Sequence, residues 1–297
     1  MSSTPPSALP SSVPPPSFRG RISSHTRGGH YAAPHRYALH LCLSCPSCLR
    51  IAVTHSLLGL DEVLPVVLLP AVPDEPGGGH SALRRWYEAS AHRYAGGAVA
   101  PLLGDEWTGR IVSTHAPHIV RDLARHFSAL GHGGAVLHPC GREAEIEAVG
   151  RLCEEGVNDA AQRAGQPGAC GPARDGDLDV LFTALDRLEG MLGGRPYLLG
   201  EEITAADVEL WVTLVRLDTA HRWHLDAAAV DRIAGHPQLW AYARRLAAHP
   251  AFGPHLDLHA IARRHHAQCN GLEAAGAAMH ILDWAQALPD RFTAQPG

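Results

Sequence analysis

The chain predicts two domains of different class, a mixed α/β domain followed by an all-helical one. Three observations carry this. Residues 37–43 (Tyr-Ala-Leu-His-Leu-Cys-Leu) alternate in period two, and Leu49, Val53, Leu57 and Leu60 then recur at helical spacing. Two short apolar runs flank a turn at residues 104–109. From Glu143 onward no strand pattern survives, and apolar residues such as Ile146, Val149, Leu152 and Val157 keep to helical spacing.

Taken in order, residues 1–17 are rich in Ser and Pro, with neither a basic start nor an apolar core. They read as a disordered tail and not as a secretory leader. Residues 37–43 read as a strand, 45–60 as a helix and 63–69 as a second strand, which makes a β-α-β unit with a parallel pair and a right-handed crossover. Residues 73–80 are a Pro/Gly-rich loop, and 81–90 are helical or irregular. Residues 99–103 and 110–112 form a hairpin around the turn. Pro101 inside a strand run requires an edge, a bulge or a cis bond. A helix at 117–127 places Ile119, Val120, Leu123 and Phe127 on one side. β-α-β followed by β-β-α is the order of a thioredoxin-like fold, expected over residues 18–130.

Residues 131–142 form a Gly/His-rich linker, and the helical domain spans 143–266, interrupted by a loop at 165–176. Leu178, Leu181, Leu185, Leu188 and Leu192 mark one helix. Thr204 and Asp207 form a capping box that opens another, with Ile203 as its staple and Leu210, Leu214 and Leu217 as its core face. Helices at 237–248 and 255–266 follow. Residues 267–297 are an Ala/Gly-rich extension of low information.

Chemistry concentrates at Cys45-Pro46-Ser47-Cys48, where a strand delivers a cysteine to a helix start. Free backbone N–H groups and the positive end of the helix dipole favour thiolate there, and Pro46 suits the first turn because its missing N–H is not needed. A free cysteine titrates near ~8.5, and such a position lowers that to roughly 3.5–7.5. Cys45 is the better nucleophile because Cys48 lies one turn in, where it is covered. Two other readings compete. Both cysteines could be small buried apolar residues. Cys42, Cys45 and Cys48 also spell C-x2-C-x2-C, part of an iron–sulfur run, but the usual continuation is missing and Cys42 on a strand faces elsewhere. No metal is expected: the 21 histidines are scattered and form no zinc pattern.

The 297 residues carry a formal net charge of −5, and all 25 basic residues are arginine. Arg, Ala, Gly and Pro share GC-rich codons, so this bias reads as the composition of a high-GC bacterial genome. No basic stripe suits nucleic acid. The apolar stretch 63–72 is too short to span a bilayer. Seven unevenly spaced cysteines fit free thiols in a reducing cytoplasm.

A thioredoxin-like half followed by an all-helical half opened by a T-x-x-D box resembles the soluble glutathione transferases. Phe18-Arg19-Gly20-Arg21-Ile22, Cys45-Pro46 with Arg50 following, Leu58-Gly59-Leu60, Thr108-Gly109-Arg110-Ile111-Val112, Val157-Asn158, residues 214–218 (Leu-Val-Arg-Leu-Asp) and residues 236–242 (His-Pro-Gln-Leu-Trp-Ala-Tyr) narrow the match. They are similar to the glutathionyl-hydroquinone reductases, a cysteine-type branch akin to the omega (xi-like) transferases. The resemblance covers residues 18–266.

It implies that Cys45 attacks a glutathionylated quinol, giving a mixed disulfide that a second glutathione resolves. Ala100, before Pro101, would pair its backbone with the thiol co-substrate as an added strand. The family's Cys-Pro-Trp-Ala is here Cys45-Pro46-Ser47-Cys48, and its Glu-Ser pair, which holds the γ-glutamyl group, is His115-Ala116. The tyrosines that serve its quinol pocket align with Gln162, His221 and the pair His265-His266. If the genome is actinobacterial, mycothiol, which has no γ-glutamyl group, replaces glutathione as co-substrate. The resemblance further implies a homodimer and an electrophile pocket between the halves, taking a small electrophilic or quinone-type substrate. Two alternatives stand: a glutaredoxin-like dithiol reductase with Cys48 as resolving thiol, and a non-catalytic binding protein on the same scaffold.

Overall fold

The computed structural model describes residues 17–24, 29–269 and 273–287; the expected tail, except Ser17, and residues 288–297 lie outside these. The N-terminal sheet has four strands, β1 (Tyr37–Leu41), β2 (Val66–Leu68), β3 (Leu102–Asp105) and β4 (Arg110–Ser113), in the order β2-β1-β3-β4. β1 is central and buried along its whole length, so the period-two alternation read over residues 37–43 marks the strand but no solvent-facing side. β2 runs parallel to it, with Leu39 opposite Val66, whereas β3 and β4 are antiparallel. Helix α1 (Pro46–Leu57) makes the β1–β2 crossover. Helices α2 (Arg84–Ser90) and α3 (Ala116–Asp122) complete the unit, and α3 continues through a π-helical turn over Leu123–Phe127.

The hairpin sits later than its composition suggests. β3 begins at Leu102, after the cis Ala100–Pro101 bond, and runs through Gly104 and Asp105, which pair with Ala38 and Tyr37. Gly104 belongs to the strand because the Trp86 ring leaves no room for a side chain: a Cβ there would stand 2.7 Å from it. Asp122 ties the N-terminal segment to α3, accepting from the Ile22 N–H at 2.7 Å and from Arg21 Nε at 2.9 Å.

In the helical half, α4 (Glu143–Arg151) runs through a π-helical stretch, Leu152–Asp159, into α5 (Ala160–Ala164). Helix α6 (Gly171–Met191) starts inside the expected loop: Pro172 stands in the first turn, where a proline is tolerated, so this Gly/Pro run opens a helix instead of separating two. Helix α7 (Ala205–Thr219) is the buried axis of the domain, and its N-terminus carries the expected capping box of Thr204 and Asp207. Helix α8 (Ala227–Ala234), absent from the sequence reading, is capped by Asp226, whose carboxylate accepts the Ala229 N–H at 2.8 Å. Helices α9 (Pro237–Ala247) and α10 (Leu258–Cys269) follow.

The described part of the C-terminal extension packs onto this domain and ends in α11 (Trp284–Ala287). Trp284 Nε1 donates to Asp218 at 2.7 Å, and Arg222 bridges Asp218 to the carbonyls of Gly276 and Ala277. The two halves are joined by an ion pair across α1 and α7, Arg50 Nε to Glu209 at 2.6 Å, with Glu154 3.7 Å away. Burial pushes the Glu209 carboxyl up, against the pull of Arg50. Among the described residues no helix is long and apolar enough to cross a membrane.

Candidate active site

Cys45 is the N-cap of α1, with φ −95° and ψ 125°, and its carbonyl accepts the Leu49 N–H at 2.9 Å. The loop that delivers it is fixed by its own hydrogen bonds. The Cys42 carbonyl accepts the Cys45 N–H at 2.9 Å, the Ser44 hydroxyl donates to the Ala71 carbonyl at 2.6 Å, and the Cys42 thiol donates to the Pro70 carbonyl at 3.2 Å. Pro46 takes the first helical position, so the missing N–H leaves no orphan donor.

Cys45 is half-buried and Cys48 fully buried. The Cys45 sulfur makes no capping hydrogen bond of regular geometry. Its pKa nevertheless falls to about 5, through hydrogen bonding from the Cys48 thiol first, then the Cys48 N–H, the Arg264 charge and the Ser47 N–H, which together outweigh burial. Cys48 moves the other way, well above the ordinary thiol range, because it donates to Cys45 and is buried beside its charge. One sulfur is held as thiolate and its neighbour as thiol. All seven cysteines are free.

Beside this helix start opens a cleft of about 630 Å3 between the two halves. Leu43, Ser44, Pro46 and Leu49 form its wall on the α/β side, so Cys45 lies between two lining residues. The opposite wall comes from α5, α7 and α10. Gln162, His221 and His265 all line it, three positions the sequence reading grouped as a substrate pocket. His221 is buried, and desolvation first, then the charges of Arg216, His224 and His265, push its pKa down to about 3. It is a neutral imidazole at physiological pH.

His266 does not join them. Its side chain is exposed, with Nδ1 3.7 Å from Glu273, because consecutive residues on a helix point about 100° apart and His265 takes the cleft-facing position. Among the described residues, His266, Cys269 and Glu273 are the one set of potential metal donors, within 4.8 Å of one another. Two of the three are already an exposed acid–imidazole pair.

Ala100, Pro101, His115 and Ala116 lie on the α/β domain and line no part of the cleft. Ala100 precedes the cis bond, and His115 caps α3 with its N–H donating to Ser113 Oγ at 3.1 Å. Its ring stacks edge-on against His118 with centroids 4.3 Å apart. Burial lowers both imidazoles, His118 and the arginines at 19 and 21 adding to the effect on His115. Residues singled out by the structure alone are Arg264, whose Nη1 lies 3.6 Å from Cys42 Sγ, and His224 on the cleft wall. Arg216, present in one of the quoted motifs, also lines the cleft. A signal for Arg264 existed in the run Arg263-Arg264-His265-His266, but only the tertiary fold brings it beside Cys42, just past β1.

Comparison with known proteins agrees with this architecture. Residues 171–245 match the profile of the glutathione S-transferase C-terminal domain. The chain is 30% identical, over 81% of its length and 80% of the relative's, to the glutathionyl-hydroquinone reductase PcpF of Sphingobium chlorophenolicum. It is 29% identical, over 73% of its length and 70% of the relative's, to the glutathionyl-hydroquinone reductase YqjG of Escherichia coli. A crystal structure of a glutathione transferase from Gordonia bronchialis superposes with a TM-score of 0.76 at 31% identity, covering 86% of this chain and 84% of that one.

Proposed function

Because the chain belongs to the glutathione transferases, in the glutathionyl-hydroquinone reductase branch, we propose that it is a thiol transferase/reductase acting through a mixed disulfide on Cys45. The Cys45 thiolate attacks the sulfur of an aryl thioether formed from a quinol and a small thiol. The aryl carbon–sulfur bond breaks, the sulfur–sulfur bond forms, and the departing ring carbon takes the electron pair and then a proton. A second molecule of thiol releases the first as a disulfide and restores Cys45. The observation that carries this reading is the half-buried thiolate at the start of α1, at the edge of a cleft between the halves. Glutathione is the thiol named in the relatives. His115-Ala116 offers no carboxylate for an ammonium group, which favours mycothiol here. The reading includes a homodimer in a reducing cytoplasm, consistent with seven unpaired cysteines.

The test is the rate at which Cys45 is alkylated by iodoacetamide as pH varies, followed by peptide-resolved mass spectrometry. A pKa lowered to about 5 keeps the sulfur ionised at every higher pH. The rate is therefore half-maximal near that value and flat above about pH 7. A rate that keeps rising through about pH 8.5, as for a free thiol, would sink the reading.

A dithiol cycle is the second reading, favoured by the Cys48 thiol that donates to Cys45. Cys48 would displace the bound thiol, forming a Cys45–Cys48 disulfide and releasing the small thiol with the Cys48 proton. Cys48→Ser then abolishes reduction of protein disulfides while leaving reduction of the thiol conjugate within about threefold. Protein-disulfide reduction that persists in Cys48→Ser removes this cycle.

A further inference from the structure

The cleft beside Cys45 is lined by two guanidinium groups and several imidazoles. Its lining includes Arg216, Arg264, His221, His224 and His265 but no aspartate or glutamate. Neither arginine makes an ion pair with a carboxylate among the described residues. Glu154, the acid with the strongest electrostatic influence on Arg216, accepts from Asn158 Nδ2 at 3.0 Å and lies 3.7 Å from Arg50. Among the described residues, the one hydrogen-bond contact of the Arg264 guanidinium is to a sulfur, Cys42 Sγ.

Two of the imidazoles, those of His221 and His265, add ring nitrogens without a hydrogen-bond partner among the described residues. His221 is more than nine-tenths buried, and its Nε2 has no hydrogen-bond partner; the Nε2 of His265 is buried and unpartnered too. Leaving such a group unmatched costs about 1–3 kcal/mol, so a ligand in the cleft that supplies acceptors to these two nitrogens would recover that cost. Desolvating a guanidinium with no hydrogen-bonded acid partner is costly, and burial pulls Arg216 below the ordinary arginine range although Glu154, the Cys45 thiolate and Asp159 act against it. Among the other lining residues, Leu43, Leu49, Val212, Val215 and Ile261 offer apolar surface that would cover a flat ring, beside polar ones such as Gln162.

We propose that this cleft selects aromatic electrophiles carrying an ionised oxygen acid, with Arg216 and Arg264 as its counter-charges and His221 and His265 donating to ring oxygens. This rests on the reading that Cys45 takes a thiol from an arene held there, and it adds the class of arene. A neutral quinol satisfies the imidazoles and gives neither guanidinium group a carboxylate partner. An arene with a carboxylate satisfies all four groups.

Equilibrium binding tests this without any chemistry at Cys45. The unaltered full chain is titrated calorimetrically at neutral pH with 2,5-dihydroxybenzoate and with its methyl ester, which has the same ring and no charge. The acid is expected to bind at least about tenfold tighter, the worth of one charge-assisted hydrogen bond. That preference should shrink to about threefold or less in Arg264→Gln and in Arg216→Gln. Arg264 is only partly buried, so its variant keeps the test open if Arg216→Gln fails to fold. An ester that binds as well as the acid, binding of neither, or an acid preference untouched in Arg264→Gln overturns the proposal. The alkylation profile of Cys45 is read on the same protein. A normal thiol with the acid preference intact refutes the transferase reading alone, and a thiolate with no acid preference refutes the arene class alone.

Discussion

Cys45→Ser loses thiol transfer, with turnover falling by roughly a thousandfold to a millionfold, the range seen when an enzyme's nucleophile is removed. The reason is specific to this helix start. A serine hydroxyl has no accessible anion near neutral pH, so the donors that hold the sulfur ionised, the Cys48 thiol, the Cys48 and Ser47 amides and Arg264, have no charge to stabilise. The fold should tolerate the change. Serine is a preferred N-cap, its oxygen is smaller than sulfur, and the backbone at φ −95° and ψ 125° is already that of a cap. The thermal midpoint of Cys45→Ser should therefore match or slightly exceed that of the unaltered protein while activity vanishes. Intact-mass spectrometry of the unaltered protein, quenched during turnover, should show one bound small thiol, absent from Cys45→Ser. The mass of that adduct distinguishes glutathione from mycothiol. Turnover in the serine variant within tenfold of normal would mean that another group performs the attack.

Much of this site was legible because local rules and tertiary structure agree there. Period two into helical spacing, with a proline after the cysteine, is enough to place Cys45 at a helix start, and the capping box at Thr204 is equally local. Other features escaped for identifiable physical reasons. The Gly/Pro composition of residues 165–176 signals a loop, yet the same residues open α6, since a proline in the first turn breaks no hydrogen bond. Gly104 reads as a turn until the Trp86 ring is in place to demand a glycine within the strand. α8 buries little beyond Ala229, Val230 and Ile233, too narrow a stripe to declare itself, although Asp226 before an alanine run was a usable cap signal. The His265-His266 pair could not be divided without knowing which face of α10 meets the cleft. Arg216 and Arg264 are ordinary arginines in the sequence. What sets them apart is that both line the cleft and neither forms an ion pair with a carboxylate among the described residues, which only the assembled halves define.

Asp207→Ala is expected to be the most destabilising single change in the helical half, costing about 3–5 kcal/mol, the range for removing one member of a buried charged network. Asp207 is fully buried and accepts four hydrogen bonds: from the Leu198 N–H at 2.9 Å, the Thr204 N–H at 2.8 Å, the Thr204 hydroxyl at 3.0 Å and the Tyr242 hydroxyl at 2.7 Å. These donors belong to three parts of the domain. Leu198 lies in the loop after α6, Thr204 caps α7, and Tyr242 comes from α9. Alanine cannot accept from any of them, and water cannot reach a site this enclosed. Burial, the largest of the causes that raise the Tyr242 phenol, remains once the carboxylate is gone, so that hydroxyl stays a donor without an acceptor. Asp207→Asn separates charge from shape: it keeps one acceptor oxygen and replaces the other by a donor, so it should cost about half as much. The damage should also reach the active site. α7 carries Glu209, which pairs with Arg50 across the halves, and Arg216 and His221 on or just beyond its end line the cleft. Fraying its first turn loosens that wall, so the affinity for the arene should fall before the Cys45 alkylation profile changes. Urea unfolding of the three proteins measures the first effect. A midpoint shift worth less than about 1 kcal/mol for Asp207→Ala would mean that water or a repacked side chain reaches these donors, and that the capping box is not what fixes α7.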